Sequence, residues 1–327
     1  MGVNTENTTY KPALVSCIVT SYLREPEIVE RALKSILIQD YPNKEILIVD
    51  DNRGPDSFKY SDGLKGLSGL SDNISVLRTE GGHGSQKARN TGIRHAKGKY
   101  VAFLDDDDEW LPGKLTKQIY LLEARPEIGM CYTDGYAVNN MYHPDRRLQI
   151  WKNTFHRELS YRELLEDDYI GTTSQAVIRV EAFEKCGLFD ESLPARQDYE
   201  MWIRLSKNYP LAGIPEPLYI YYNNFGIKQI SKNWRNCLKG HDAIYERYKD
   251  DIDGNRRAEF NIFFHKGHYY LQGFKKERVP AYFISAVCWY LKALFTSPPL
   301  MLKQARFKLR NFKRKYTGRK LLKKKQG

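Results

Sequence analysis

Paired cysteines, nucleotide-loop glycines and apolar runs of membrane length are all missing from this chain. Its five cysteines, Cys17, Cys131, Cys186, Cys237 and Cys288, lie far apart. Without a CxxC pair or a dense framework, structural zinc and disulfides are disfavoured, and a reducing compartment is expected. Neither GxxxxGK(S/T) nor GxGxxG occurs, which argues against P-loop ATPases and simple dinucleotide binding. The most apolar stretch, 279–302, is broken by Lys292 and by Pro298-Pro299. Its uncharged part before Lys292 is 13 residues, short of the ~20 needed to cross a bilayer. The polar segment 1–12 has no secretory core, and Glu6 stands where a myristoylation start wants Ser or Thr. Acid is absent from residues 301–327, which hold eight Lys and four Arg. That tail accounts for the whole net charge of +12 and leaves 40 bases and 40 acids in the first 300 residues. The basic character therefore belongs to the tail, and no reading module accompanies it, so nucleic acid is not the expected partner.

What is present centres on Gly98–Gly113, GKYVAFLDDDDEWLPG. Tyr100–Leu104 reads as a buried strand delivering Asp105, Asp106, Asp107, Asp108 and Glu109. Adjacent carboxylates repel, so a cation should compensate. Oxygen ligands suit Mg²⁺ or Mn²⁺, and ligands bind at the carboxyl ends of strands in open α/β sheets. The alternative is a solvated acidic turn that caps a helix beginning at Pro112.

The rest follows an alternating pattern. Strands are expected over Leu14–Thr20, Glu45–Val49, Ile74–Arg78, Gly129–Thr133 and Thr173–Arg179, with a last edge strand at Leu218–Tyr222. Helices are expected after Pro26, from about Ser85 to Ala96 and over Lys114–Glu123. Residues 53–72 read as a loop with one helical turn. The turn Gly81–Gly84 opens into a helix N-terminus, a place where phosphates bind well. Asp134–Asp168 is patternless and rich in Tyr, Trp, His, Arg and Asn, as substrate-contacting loops are, though an irregular surface excursion reads the same. In Arg196–Leu205, Trp202, Ile203 and Leu205 turn a helix inward and leave Asp198 at its start, as a functional carboxylate or an N-cap. Residues 228–278 are helical and polar. In 279–302, Phe283, Val287, Tyr290 and Leu294 share a helical face. With the basic tail behind it, that face suits a helix lying on an anionic membrane; a packing helix is the other reading.

Five pieces in order, VTSYLRE at 19–25, IVDDN at 48–52, GGHGSQKARNTGI at 81–93, FLDDDDEWLPGKL at 103–115 and QDYEMWIRL at 197–205, resemble family 2 glycosyltransferases over about residues 13–225. The resemblance implies a GT-A fold: α/β, Rossmann-like, a mostly parallel central sheet flanked by helices, here with a helical extension at 226–278 and a membrane-surface segment at 279–327. It implies an inverting, metal-dependent transfer from a nucleotide sugar, by preference a UDP-sugar, to a saccharide or lipid-linked acceptor in bacterial surface polysaccharide synthesis. The expected location is cytoplasmic, peripheral on the inner face of the membrane. Thr20 and Tyr22 would meet the nucleotide and Asp51 would accept from its base. Arg89 would sit near the phosphates with Asp105 and Asp106. Asp105 and Asp107 match the Asp-x-Asp signature, Asp107 being the direct metal ligand, and Asp198 would be the general base. Gln197 stands where Glu usually precedes that base. Two rivals follow: a nucleotide-sugar binding protein without turnover, permitted by Gln197, and a nucleotidyltransferase of the same fold. The latter needs basic groups around a triphosphate, and none is apparent beside the acidic run.

Overall fold

The computed structural model describes residues 12–79, 84–138, 147–149, 158–222 and 233–307. Residues 1–11, 80–83, 139–146 and 150–157 (about half of the patternless stretch), 223–232 and the tail from 308 lie outside the described residues. The chain divides into two compact units. One comprises residues 1–164, 168–192 and 197–227; the other comprises 165–167, 193–196 and 228–327.

The first unit is built on one sheet. The elements in order are β1 (Val15–Ser21), α1 (Pro26–Leu37), β2 (Lys44–Asp50), α2 (Phe58–Leu67), β3 (Ile74–Arg78), α3 (Ser85–His95), β4 (Tyr100–Asp105), β5 (Glu109–Trp110), α4 (Lys114–Ala124), β6 (Met130–Val138), β7 (Arg147–Gln149), α5 (Tyr161–Glu166), β8 (Val177–Arg179), α6 (Val180–Cys186), α7 (Gln197–Ser206) and β9 (Leu211–Tyr222). The strand order is β3-β2-β1-β4-β8-β6-β9-β5, with β7 beside β6. From β3 to β4 the pairs are parallel. β1, β2 and β4 are largely apolar and buried, as strands of helix-covered parallel sheets generally are, while the edge strand β3 is half-buried. Beyond β4 the sheet is mixed: β8 is antiparallel to β4 and β6, and β9 is parallel to β6. The mostly parallel pattern thus holds for the N-terminal half and gives way to a mixed sheet after the aspartate run.

Three elements differ from expectation. The strand expected over Thr173–Arg179 begins only at Val177, behind a 3-10 turn at Thr173–Gln175 whose Thr172 cap accepts from the Ser174 amide. Residues 58–67 form a full helix, although Gly63 and Gly66 lower its intrinsic propensity. Gly63 lies against Pro26, where a Cβ would fall 2.2 Å from the proline ring; tertiary contact requires the glycine that made the segment look like a loop. β9 is twelve residues long, starts at Leu211 and is an interior strand between β6 and β5. Pro215 and Pro217 hid its first half, and the register against β6 shifts where Pro217 faces Asp134, which is how a ladder absorbs proline.

The second unit is helical: α8 (Trp234–Arg247), α9 (Lys249–Ile252), α10 (Arg256–Glu277) and α11 (Pro280–Thr296). Helix resumes over residues 298–307 after a break at Ser297. α10 and α11 pack through Phe260, Phe264 and Ala293, with Phe263 stacked on Trp289. Tyr290 rests against Gly267 and Phe264. It therefore belongs to the packed side of α11, and the expected face of 283, 287, 290 and 294 is rotated. The side left exposed carries Phe283, Ile284, Val287, Leu291 and Phe295.

Candidate active site

The carboxyl ends of β2, β1 and β4 are adjacent. In register, Thr20 on β1 stands between Val49 of β2 and Asp105 of β4. Tyr22 follows the strand end with half its surface exposed. Asp51 is buried at the end of β2 and accepts from Thr79 Oγ1 at 2.6 Å and from the Gly84 amide at 3.1 Å. One carboxylate thus fixes both the end of β3 and the start of α3.

The aspartate run is a mixture of structural and accessible groups. Asp108 is fully buried and accepts from Ser174 Oγ at 2.6 Å and from the Tyr222 amide at 3.2 Å. Burial holds its carboxyl well above the usual range. Asp106 is also buried, and desolvation raises it to about 7 against the opposing pull of Arg24. Asp105 receives Arg89 Nη2 at 2.7 Å, Thr172 Oγ1 at 3.1 Å and Thr173 Oγ1 at 3.3 Å. Arg24 bridges the next pair, with Nε 2.9 Å from Asp106 and Nη2 3.1 Å from Asp107. Arg31 donates to the Asp107 carbonyl at 2.8 Å and pairs with Glu109 at 2.8 Å.

Three arginines from α1, its approach and α3 therefore surround the run. The absence of basic groups near it, read from sequence, is corrected: they come from 16 to 82 positions away. Local spacing along the chain does not reveal them. The 171–175 segment was also missed. Its Thr172, Thr173 and Ser174 hydroxyls all bond to the run, a role that polar residues before a strand do not announce.

Asp198 opens α7, half-buried, and its carboxylate accepts from the Tyr199 amide at 2.8 Å. Gln197 is buried and donates to Ser85 Oγ at 3.0 Å. Ser85 and Arg89 are four apart on α3 and share a face. One turn of α3 thus holds Asp105 through Arg89 and the start of α7 through Ser85. Trp202 of α7 also donates to the Gly171 carbonyl at 3.1 Å, next to the threonines on Asp105. His265, in the helical unit, pairs with Asp167 at 3.4 Å.

Among the described residues no group of three or more His, Cys, Asp or Glu is arranged to hold a metal alone. The donors are carboxylate oxygens, and Mg²⁺-like ions take one or two of these and complete their shell from water and substrate phosphates. The run attracts a cation here, since a guanidinium bridges Asp106 and Asp107. As oxygen donors, Asp105 and Asp107 fit a hard divalent cation that completes its shell from elsewhere.

The model of Glycosyl transferase family 2 matches residues 16–187. The chain belongs to this family. It is a glycosyltransferase. It is 30% identical to a putative teichuronic acid biosynthesis glycosyltransferase, TuaG, of Bacillus subtilis, over 71% of this chain and 87% of that one. It is 29% identical to WfgD of Escherichia coli, a UDP-Glc:alpha-D-GlcNAc-diphosphoundecaprenol beta-1,3-glucosyltransferase, over 62% and 73% respectively. In fold it is similar to the mannosyltransferase PcManGT of Pyrobaculum calidifontis, solved with GDP-Man and Mn²⁺, with a TM-score of 0.57 at 17% identity, covering 89% of this chain and 88% of that one. The GT-A architecture is that of the family 2 transferase.

Proposed function

We propose that this transferase moves a sugar from a nucleoside diphosphate, by preference a uridine one, to a hydroxyl of a saccharide or lipid-linked acceptor, with inversion, in bacterial surface polysaccharide synthesis. The observation that carries this reading is the turn of α3 that ties the Asp105 end of β4 to the Asp198 end of α7. The names of TuaG and WfgD support the polysaccharide setting, and WfgD the uridine donor and lipid-linked acceptor.

Tyr22 offers an exposed ring for stacking on the base, beside Thr20. Asp51, held in orientation by Thr79 and Gly84, accepts from a base N–H. Arg89 pairs with Asp105 and holds it in place, close to where the phosphates would lie. Asp107, with Asp105 beside it, would hold Mg²⁺ or Mn²⁺, which would supply Lewis-acid neutralisation of the charge growing on the leaving diphosphate. Asp198 takes the proton of the attacking hydroxyl on the opposite face of the anomeric carbon, a contribution typically of ~10²–10⁴-fold. Its place at a helix N-terminus favours the ionised form that a base needs. In-line attack inverts the anomeric centre without a covalent nucleophile on the protein.

A membrane surface is the proposed location. Among the described residues no helix is long and apolar enough to cross a membrane. The exposed apolar side of α11 precedes a tail with eight Lys and four Arg, the pairing of wedge and charge that anionic leaflets hold. The inner leaflet of the cell membrane, facing the cytoplasm, fits the nucleotide donor and the reduced cysteines.

The test is a panel of nucleotide sugars screened by thermal shift with Mn²⁺, followed by transfer assays. A uridine donor should raise the melting temperature most. Asp107→Ala and Asp198→Asn should each lower turnover at least 10²-fold, in keeping with loss of a catalytic group. Only Asp107→Ala should also lose the metal-dependent gain in donor binding. Full turnover by either variant would remove the role given to that residue.

A further inference from the structure

Arg24 is held in place by more than its ion pairs. The preceding residue, Leu23, has a left-handed backbone at φ 48°, a region that side chains bearing a Cβ disfavour. Its amide donates to Asn52 Oδ1 at 2.7 Å. Asn52 is buried, and both its amide (2.9 Å) and its Nδ2 (2.7 Å) donate to Asp50 Oδ1 at the end of β2. The end of one strand thus fixes a strained bend that delivers the guanidinium onto the carboxylates ending another. Backbone strain held by surrounding bonds is typical of functional positions. The side chain is 13% exposed and forks across two neighbouring acids, an arrangement available to a planar guanidinium and not to an ammonium.

We propose that Arg24 is the resident counter-cation of the Asp106–Asp107 pair, competing with a divalent cation for Asp107 and so making metal binding depend on the nucleoside diphosphate. This rests on the donor and metal reading given above. Without donor, a divalent cation must displace Arg24 from Asp107 and leave that guanidinium, bent towards the site by Leu23, short of an anion. With donor, the diphosphate brings negative oxygens that serve both cations at once. Metal and nucleotide then strengthen each other's binding by the same factor, as linkage requires. Arg24 acts as a positioning residue, and its effect falls on metal affinity and coupling rather than on the bonds made or broken.

The experiment is a calorimetric titration of the full chain with Mn²⁺, with and without UDP, in the parent and in Arg24→Gln. Removing a unit charge a few ångströms from the metal site should tighten Mn²⁺ binding without UDP by roughly tenfold. The factor by which UDP improves Mn²⁺ affinity should shrink accordingly. Unchanged or weaker Mn²⁺ binding in Arg24→Gln, with a parent that responds to Mn²⁺ and UDP, would overturn the counter-cation role alone. A parent that binds no Mn²⁺ even with UDP would overturn the metal reading and this inference with it. Should Arg24→Gln not fold, Arg24→Met, which removes the charge and keeps an apolar stem, decides by the same comparison: tighter binding without UDP supports the role, and equal or weaker binding refutes it.

Discussion

Lys114 is the least expected side chain of the core. It is fully buried in the first turn of α4, bonded through Nζ to Gln118 Oε1 at 2.7 Å and set 4.3 Å over the Trp110 ring. Burial lowers its pKa to about 7 from an ordinary 10.5. Between those values the unfolded chain holds a proton that the folded chain lacks. Stability should therefore rise with pH from about 7 towards 10, by at most about 1.4 kcal/mol per pH unit from this group. Lys114→Met should flatten that rise, measured by urea unfolding at pH 6, 7.5 and 9. Ser174 is the second residue whose loss should be felt. Its hydroxyl donates to buried Asp108 and accepts from the Asp105 amide at 3.1 Å. Ser174→Ala strips a buried carboxyl of a partner and should cost about 1–3 kcal/mol in the same assay. At this scale the sequence displayed the acids and concealed their partners. Asp105 to Asp108 are contiguous, so four carboxylates at a strand end are visible at once. Arg24 and Ser174 reach them only through the fold, and contiguity says nothing of which acids are buried.

Among the elements, legibility followed how far the reason for each lay along the chain. β2 and β4 are apolar runs closed by acids, β1 is a largely apolar run closed by Thr20 and Ser21, and their pattern is local. α2 and the first half of β9 were hidden because their glycines and prolines answer to partners elsewhere, Pro26 for Gly63 and the β6 bulge for Pro217. For α11 the helix was legible and its orientation was not, since periodicity gives a face without saying what covers it. Tyr290 is taken up by α10, which leaves Phe283, Ile284, Val287, Leu291 and Phe295 outward. Phe295, 81% exposed, contributes little to folding in this position. Phe295→Asp with Ile284→Asp should therefore reduce co-sedimentation with anionic liposomes severalfold while moving the melting temperature by little, as surface substitutions do. Loss of the fold in that variant would mean that these side chains pack against protein instead.

For the whole molecule, charge is segregated: a body with no net charge and a tail that holds all of it. Removing residues 279–327 should abolish liposome binding and make the remainder insensitive to lipid charge. In the full chain, binding should weaken steeply between 0.05 and 0.5 M salt, because exposed charges are screened over about 10 Å at 0.1 M. Sedimentation across a salt series measures both effects. Salt-independent binding would assign the attachment to the apolar side alone.

The Ser85–Arg89 turn has one more consequence, for anyone who would exchange parts between such transferases. A graft of α7 that alters acceptor choice also replaces Gln197, and Gln197 is what α3 grips. Chimeras that keep this handshake should inherit the host's donor preference intact, while those that sever it should lose fidelity towards both sugars at once.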